Sequence, residues 1–100
     1  MAVAFVRKVT GLTAEQYDRI TAEVSAILGE GNLPEGGLLH LAGPVEGGWM
    51  IVEAWESEEA LNRYRAEVLG PASTRAGVPT PPGPVRSAFA VHKLIGRLRA

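Results

Sequence analysis

The stretch from Trp49 to Trp55, WMIVEAW, constrains the possible folds of this 100-residue chain more than any other. Its length and its aromatic and β-branched residues are typical of a β-strand, whose side chains alternate between two faces. One face carries Trp49, Ile51, Glu53 and Trp55, and the other carries Met50, Val52 and Ala54. A strand that is apolar on both faces is buried on both faces. Any fold for this chain must therefore cover both sides of the strand.

A strand and a helix are predicted before this stretch. Residues 2–9 (AVAFVRKV) have the composition of a strand, and Gly11 ends it. Thr13 and Gln16 have the spacing of a capping box, which begins a helix. The apolar residues that recur at helical spacing over about residues 14–29 are Tyr17, Ile20, Val24, Ile27 and Leu28. Together these features predict a strand followed by an amphipathic helix.

The rest of the chain repeats this order. Two strands within residues 38–55 are joined by the turn-forming sequence GPVEGG, and Ser57 has the features of the N-cap of a second helix. Gly70–Pro84 holds five prolines and three glycines, which predicts a long loop, either functional or a loosely ordered surface connection. Ser87–Leu94 (SAFAVHKL) is the predicted last strand, and Gly96–Ala100 is predicted to be a basic tail that frays.

These elements predict the order β-α-β-β-α-β in a single domain, residues 1–95. This is the split βαβ, ferredoxin-like order of an α+β protein, with a four-stranded antiparallel sheet and two helices on one face. The other face is then uncovered, although the strand over residues 49–55 is apolar on both sides. A second copy of the chain is the expected cover, so the pattern predicts a homodimer with sheet packed on sheet.

Charge and composition exclude several classes of function. The net charge is −1 and the ten basic residues are scattered, so no nucleic acid and no membrane surface is expected as a partner. The absence of cysteine excludes disulfides, thiolate metal sites and thiol nucleophiles. No apolar run reaches the roughly 18 residues of a membrane span. The first residues, MAVAFVRKV, lack the apolar core of a signal peptide, so the expected location is cytoplasmic.

His40 and Glu53 form the candidate catalytic pair. If the hairpin turns at Val45–Glu46, His40 lies opposite Ile51 and shares a face with Glu53 and both tryptophans, whereas a slip of one residue would move it to the other face. A histidine held by a carboxylate between aromatic rings is suited to remove a proton from an aromatic or phenolic ligand. In the alternative interpretation, His40 and Glu53 are a buried polar pair, and Trp49 and Trp55 fill the core instead of binding the ligand.

Three further residues are candidate ligand contacts. Tyr64 and Arg65 lie at the inner border of the second helix, where Arg65 suits an anionic oxygen or forms a surface ion pair. His92 lies on the predicted last strand, where it either contacts the ligand or is hydrogen-bonded within the structure. Tyr17 is explained by a hydrophobic staple with Leu12, so any ligand contact would be secondary. Two histidines on separate strands, without clustered carboxylates, predict no metal site.

The segments PEGGLLHLAGPVEGGWMIVEAWESEEALNRY and Ala-Val-His92 resemble the dimeric α+β barrel superfamily. Within it they most resemble the small proteins grouped with antibiotic biosynthesis monooxygenase domains. The most specific pieces are Gly-Gly-Trp49, the Trp55-Glu-Ser57 junction and His92. The resemblance implies two sheets that close into a barrel between protomers, with a pocket between each sheet and its helices.

Functions within this superfamily diverge, and no complete catalytic set from the characterised oxygenases matches this chain. The resemblance implies either of two functions. The first is a cofactor-free monooxygenase or isomerase acting on an aromatic or polyketide-like small molecule. The second is a non-catalytic ligand-binding or stress-response protein that uses the same pocket. No cofactor is expected in either case.

Overall fold

A computed structural model describes residues 1–78 and 89–96 of the chain. Its elements are β1 (Val3–Thr10), α1 (Ala14–Leu28), β2 (Gly37–Val45), β3 (Gly48–Trp55), α2 (Glu58–Tyr64), a π-helical turn (Arg65–Leu69), α3 (Gly70–Ala76) and β4 (Phe89–Ala90). The four strands form one antiparallel sheet in the order β2-β3-β1-β4. This confirms the predicted α+β, ferredoxin-like fold class. No helix among the described residues is long and apolar enough to cross a bilayer.

Helix α1 begins and ends where the sequence predicts. Thr13 and Gln16 form both hydrogen bonds of the capping box, which satisfies N–H groups that have no partner inside the helix. Gly29 ends the helix with φ of +91°, a conformation that glycine adopts without a steric penalty. None of the residues of α1 is fully buried. The apolar stripe of the helix instead borders a cavity above the sheet.

The hairpin register differs from the prediction by two residues. His40 lies opposite Glu53, not Ile51. The reason is the position of the turn: Glu46 and Gly47 form a two-residue loop, with Gly47 at a φ of +80°. A shift of two residues preserves the alternation of faces, so the predicted common face of His40 and Glu53 is correct.

The predicted loop over Gly70–Pro84 is wrong over its first part, because Gly70–Ala76 is helical. The π-helical turn makes this possible. The amide of Gly70 donates to the carbonyl of Arg65, five residues back, so the hydrogen-bond ladder changes register just before Pro71. Proline is tolerated in the first turn of a helix, where its missing N–H is not needed. Residues 79–88, which include the rest of the predicted loop, lie outside the described residues.

The last strand ends earlier than predicted, at Ala90. Within the described part of Ser87–Leu94, only Phe89 and Ala90 form β4, and the amide of Val91 adds one hydrogen bond to the carbonyl of Ala2. His92 therefore lies beyond the strand. The prediction of a tail over Gly96–Ala100 falls mostly on residues 97–100, which lie outside the described part.

The two faces of the sheet differ in their cover. On the helix side, Phe5 and Trp55 form a buried cluster with Ala60 and Leu61 of α2. On the opposite face, the large apolar side chains that are exposed in the single chain include Val6 (40%), Leu41 (59%) and Phe89 (56%). Their strand pairings place them on the side of Val52 and Ala4, away from the cavity. We refer to Val6, Leu41, Val52 and Phe89 as the outer apolar face.

Candidate active site

A cavity of about 400 Å³ lies between the sheet and the helices. Its wall is mainly apolar and includes Leu12, Ile20, Val24, Leu33, Leu39 and Ile51. Pockets for small organic molecules commonly have this volume, with a few polar groups that fix the ligand's orientation. The polar side chains that line this cavity include Arg7, Tyr17, His40, Glu53 and Tyr64.

His40 and Glu53 lie opposite each other on β2 and β3, and their side chains are in contact. The Nδ1 atom of His40 lies 2.7 Å from Oε2 of Glu53. Glu53 is buried, and its Oε1 atom accepts a longer hydrogen bond of 3.4 Å from the indole nitrogen of Trp55. The His40 side chain keeps about a third of its surface exposed (35%). The carboxylate is thus fixed in the protein interior, and the imidazole that it holds reaches the pocket.

Tyr17 extends this pair into a chain of three side chains. Its hydroxyl lies 2.6 Å from Nε2 of His40. A carboxylate only accepts hydrogen bonds, so Nδ1 of a neutral His40 carries the proton and donates it to Glu53. Nε2 then has a free lone pair and accepts the hydrogen bond from the Tyr17 hydroxyl. Both ring nitrogens of His40 are therefore engaged, and the Tyr17 oxygen, which donates its own hydrogen to His40, is still able to accept a hydrogen bond from a ligand.

The environment keeps the two pocket tyrosines protonated at neutral pH. Burial is the largest cause that raises the pKa of Tyr17, and the nearby carboxylates of Glu53 and Asp18 raise it further. Burial, with the charge of Glu53, raises the pKa of Tyr64 to about 12. Tyr17 thus acts as a hydrogen-bond donor to His40 in the resting protein, and it does not act as a phenolate base.

Trp49 and Trp55 have different positions. Trp55 is 3% exposed, belongs to the buried cluster and also lines the pocket. Trp49 is buried against the ring of Tyr17, with 5.1 Å between ring centroids, and is not among the described residues that line the pocket. Trp55 is therefore placed to contact a ligand, whereas Trp49 supports the ring of Tyr17.

The three remaining candidates are spread apart. Tyr64 lines the pocket and packs against Trp55, with ring centroids 5.1 Å apart. Arg65 is half-buried in the π-helical turn, and His92 is exposed beyond β4. Neither Arg65 nor His92 is among the described pocket-lining residues. In residues 1–78 and 89–96, no group of three or more acidic or histidine side chains could hold a metal ion.

The pocket residues that the sequence analysis did not predict include Tyr17 and Arg7. Tyr17 was explained by its staple alone, although the helical spacing already placed it on the same stripe as Ile20 and Val24. Arg7 was not considered, although alternation along β1 puts it on the face of Phe5. In both cases the periodicity indicated the face, and only the docking of α1 over the sheet shows that this face borders a cavity.

The fold is similar to that of two solved structures. One is a variant of SnoaB, a cofactor-independent oxygenase from Streptomyces nogalater, with a TM-score of 0.57, 16% identity, and 93% of this chain and 95% of that chain covered. The other, from Deinococcus radiodurans, is provisionally assigned as an antibiotic biosynthesis monooxygenase, with a TM-score of 0.53, 17% identity, and 98% and 99% covered. No protein-family model and no curated protein sequence matches. These likenesses confirm, for the fold, the predicted resemblance to antibiotic biosynthesis monooxygenase-like proteins.

Proposed function

We propose that the protein binds a fused-ring phenol or enol in this pocket and oxidises it with dioxygen, without a cofactor. The observation that carries the proposal is the chain Tyr17–His40–Glu53 at the wall of a mainly apolar cavity. A buried carboxylate, an oriented imidazole and a phenol form a route for one proton. The cofactor-independent oxygenase among the structural neighbours supports the proposal through its fold.

The proton step follows from the hydrogen bonds of the three side chains. The ligand hydroxyl donates to the oxygen of Tyr17 and transfers its proton there, while Tyr17 passes its own proton to Nε2 of His40. The imidazolium that forms is stabilised by the Glu53 carboxylate at Nδ1. Tyr17 is neutral before and after the transfer, so its raised pKa does not oppose the step.

The oxidation step requires only the substrate and dioxygen. The ligand anion carries its electrons on a ring carbon, which forms a C–O bond with dioxygen. Where that carbon bears a hydrogen, one oxygen atom is kept as a carbonyl and the other leaves as water, which takes that hydrogen and the proton held by His40, so the imidazole is neutral again. The substrate supplies all the electrons. A mainly apolar pocket that excludes water would protect the anion from reprotonation.

We also propose that the protein is a cytoplasmic homodimer, paired through the outer apolar face. Val6, Leu41 and Phe89 are exposed in the single chain, and clustered exposed apolar side chains mark association surfaces. We expect sedimentation equilibrium at micromolar concentration to give the mass of a dimer. Leu41→Glu should convert it to a monomer, whereas Ile27→Glu, at an apolar position on α1 that is 43% exposed, should not. A monomeric wild type would contradict this pairing.

Oxygen uptake tests the proposed activity. With anthrone, whose enol form is a fused-ring phenol, the purified protein in chelator-treated buffer is expected to consume one dioxygen per anthrone oxidised, faster than the uncatalysed reaction. Heat-unfolded protein at the same concentration is the control. Binding of anthrone, detected by quenching of tryptophan fluorescence, without faster uptake would favour the non-catalytic ligand-binding alternative.

A further inference from the structure

Arg7 places a positive charge in the wall of the pocket. The packing of the fold does not explain why a cation lies there. It lies on the helix-side face of β1, opposite Ile51 of β3, and lines the cavity. Its Nε atom is buried and forms no hydrogen bond within the described residues. A buried donor without an acceptor costs free energy, so hydrogen bonding within the protein does not account for the position of this side chain.

No carboxylate in the part of the chain that the structure describes forms an ion pair with Arg7. Among the described residues, contacts between a carboxylate and a basic side chain include those of Glu53 with His40 and of Glu23 with Arg75. Both oxygens of Glu53 already accept hydrogen bonds, from His40 and from Trp55. Burial of the guanidinium lowers the pKa of Arg7, and the charge of Glu53 opposes part of that shift. Since an arginine side chain stays protonated in proteins, this wall carries a positive charge that forms no contact ion pair with a described carboxylate.

We propose that Arg7 binds an oxyanion of the ligand, so that the pocket selects aromatic compounds with an ionised oxygen, a carboxylate or a phenolate, over neutral aromatic compounds. The inference rests on the proposed function, because it assigns the substrate class of the same pocket. The planar guanidinium presents parallel N–H donors that fit a carboxylate, and these bonds are stronger than those between neutral groups. In this arrangement the Tyr17–His40–Glu53 chain accepts the ligand's proton. Arg7 stabilises the negative charge on the ligand's oxygen.

Two probes of the same shape test the proposal: 2-naphthoate and 2-naphthamide. By isothermal titration calorimetry at neutral pH, the wild type is expected to bind the carboxylate more tightly than the amide, by a factor on the order of tenfold to a hundredfold. Arg7→Gln should bring the two affinities together. Arg19→Gln removes the same charge from an exposed position on α1 and should leave the ratio unchanged.

The outcomes separate this proposal from the proposed function. Equal affinity of the two probes for the wild type, or an equal loss for both probes in Arg7→Gln, would overturn the role of Arg7 and leave the aromatic pocket in place. Binding of neither probe to the wild type would overturn both. The wild-type comparison does not depend on the folding of any variant. Thermal unfolding provides a second measurement: Arg7→Gln should unfold at the same temperature as the wild type or higher, and a marked decrease would indicate a structural role instead.

Discussion

Replacing Trp55 by alanine is expected to lower the free energy of unfolding by about 3–5 kcal/mol. The side chain is 3% exposed and packs against Phe5, Ala60 and Leu61. One side of the indole ring packs in the buried cluster and the other side borders the pocket. Truncation to alanine therefore leaves a cavity beside the cluster. The change also removes the indole donor from Oε1 of the buried Glu53 carboxylate.

Chemical denaturation at equal protein concentration measures this loss. Ile95→Ala, which truncates a side chain that is 80% exposed, is the control and should change the free energy of unfolding by less than about 0.5 kcal/mol. Because Trp55 also lines the pocket, the variant should bind aromatic ligands more weakly even under conditions where it is folded. A loss below about 1 kcal/mol would contradict the placement of Trp55 in the core.

Replacing Tyr17 by phenylalanine is expected to lower kcat for anthrone oxidation by about 10²–10⁴-fold, with little change in KM. The hydroxyl is the member of the chain placed to receive the ligand proton, so its loss breaks the route to His40. The ring remains, and with it the packing against Trp49. The variant should therefore fold like the wild type.

Tyr64→Phe is the matched control for this variant. It removes the same hydroxyl from the other pocket tyrosine, which is not hydrogen-bonded to His40, and should lower kcat far less. Equal losses in the two variants, or a change in KM alone, would contradict the proton route. Tyr17 is a cleaner test than His40, because removing His40 would leave the buried Glu53 carboxylate without the hydrogen bond from Nδ1 and destabilise the protein.

The sequence was sufficient to predict the order of the four strands and the first two helices, and the face shared by His40 and Glu53. These depend on local periodicity, and a two-residue error in register does not change the face. The sequence could not predict that His40 lies opposite Glu53, because GPVEGG offers several positions for the turn. It also could not predict α3, since Gly70 and Pro71 normally stop a helix, and here a π-helical turn accommodates them.

The roles of Tyr17 and Arg7 depend on tertiary structure. The contact between Tyr17 and His40 joins α1 to β2 across 23 residues of sequence, and no local pattern encodes that distance. For Arg7, alternation along β1 indicates the face, but the absence of a partner for Nε depends on where every neighbouring acceptor lies. The roles of Tyr17 and Arg7 in the site therefore could not be predicted from the sequence pattern.

The protonation state of His40 is the most direct test of the central claim, that Tyr17, His40 and Glu53 take a proton from a bound phenol. Nitrogen-15 NMR of the His40 ring reports which nitrogen is protonated. In the free protein near neutral pH, we expect Nδ1 to carry the proton and Nε2 to accept a hydrogen bond. With 4-nitrophenol bound at a pH below its own pKa, both nitrogens should be protonated and the ligand should show the colour of its anion. A neutral imidazole beside a neutral bound phenol would contradict the account.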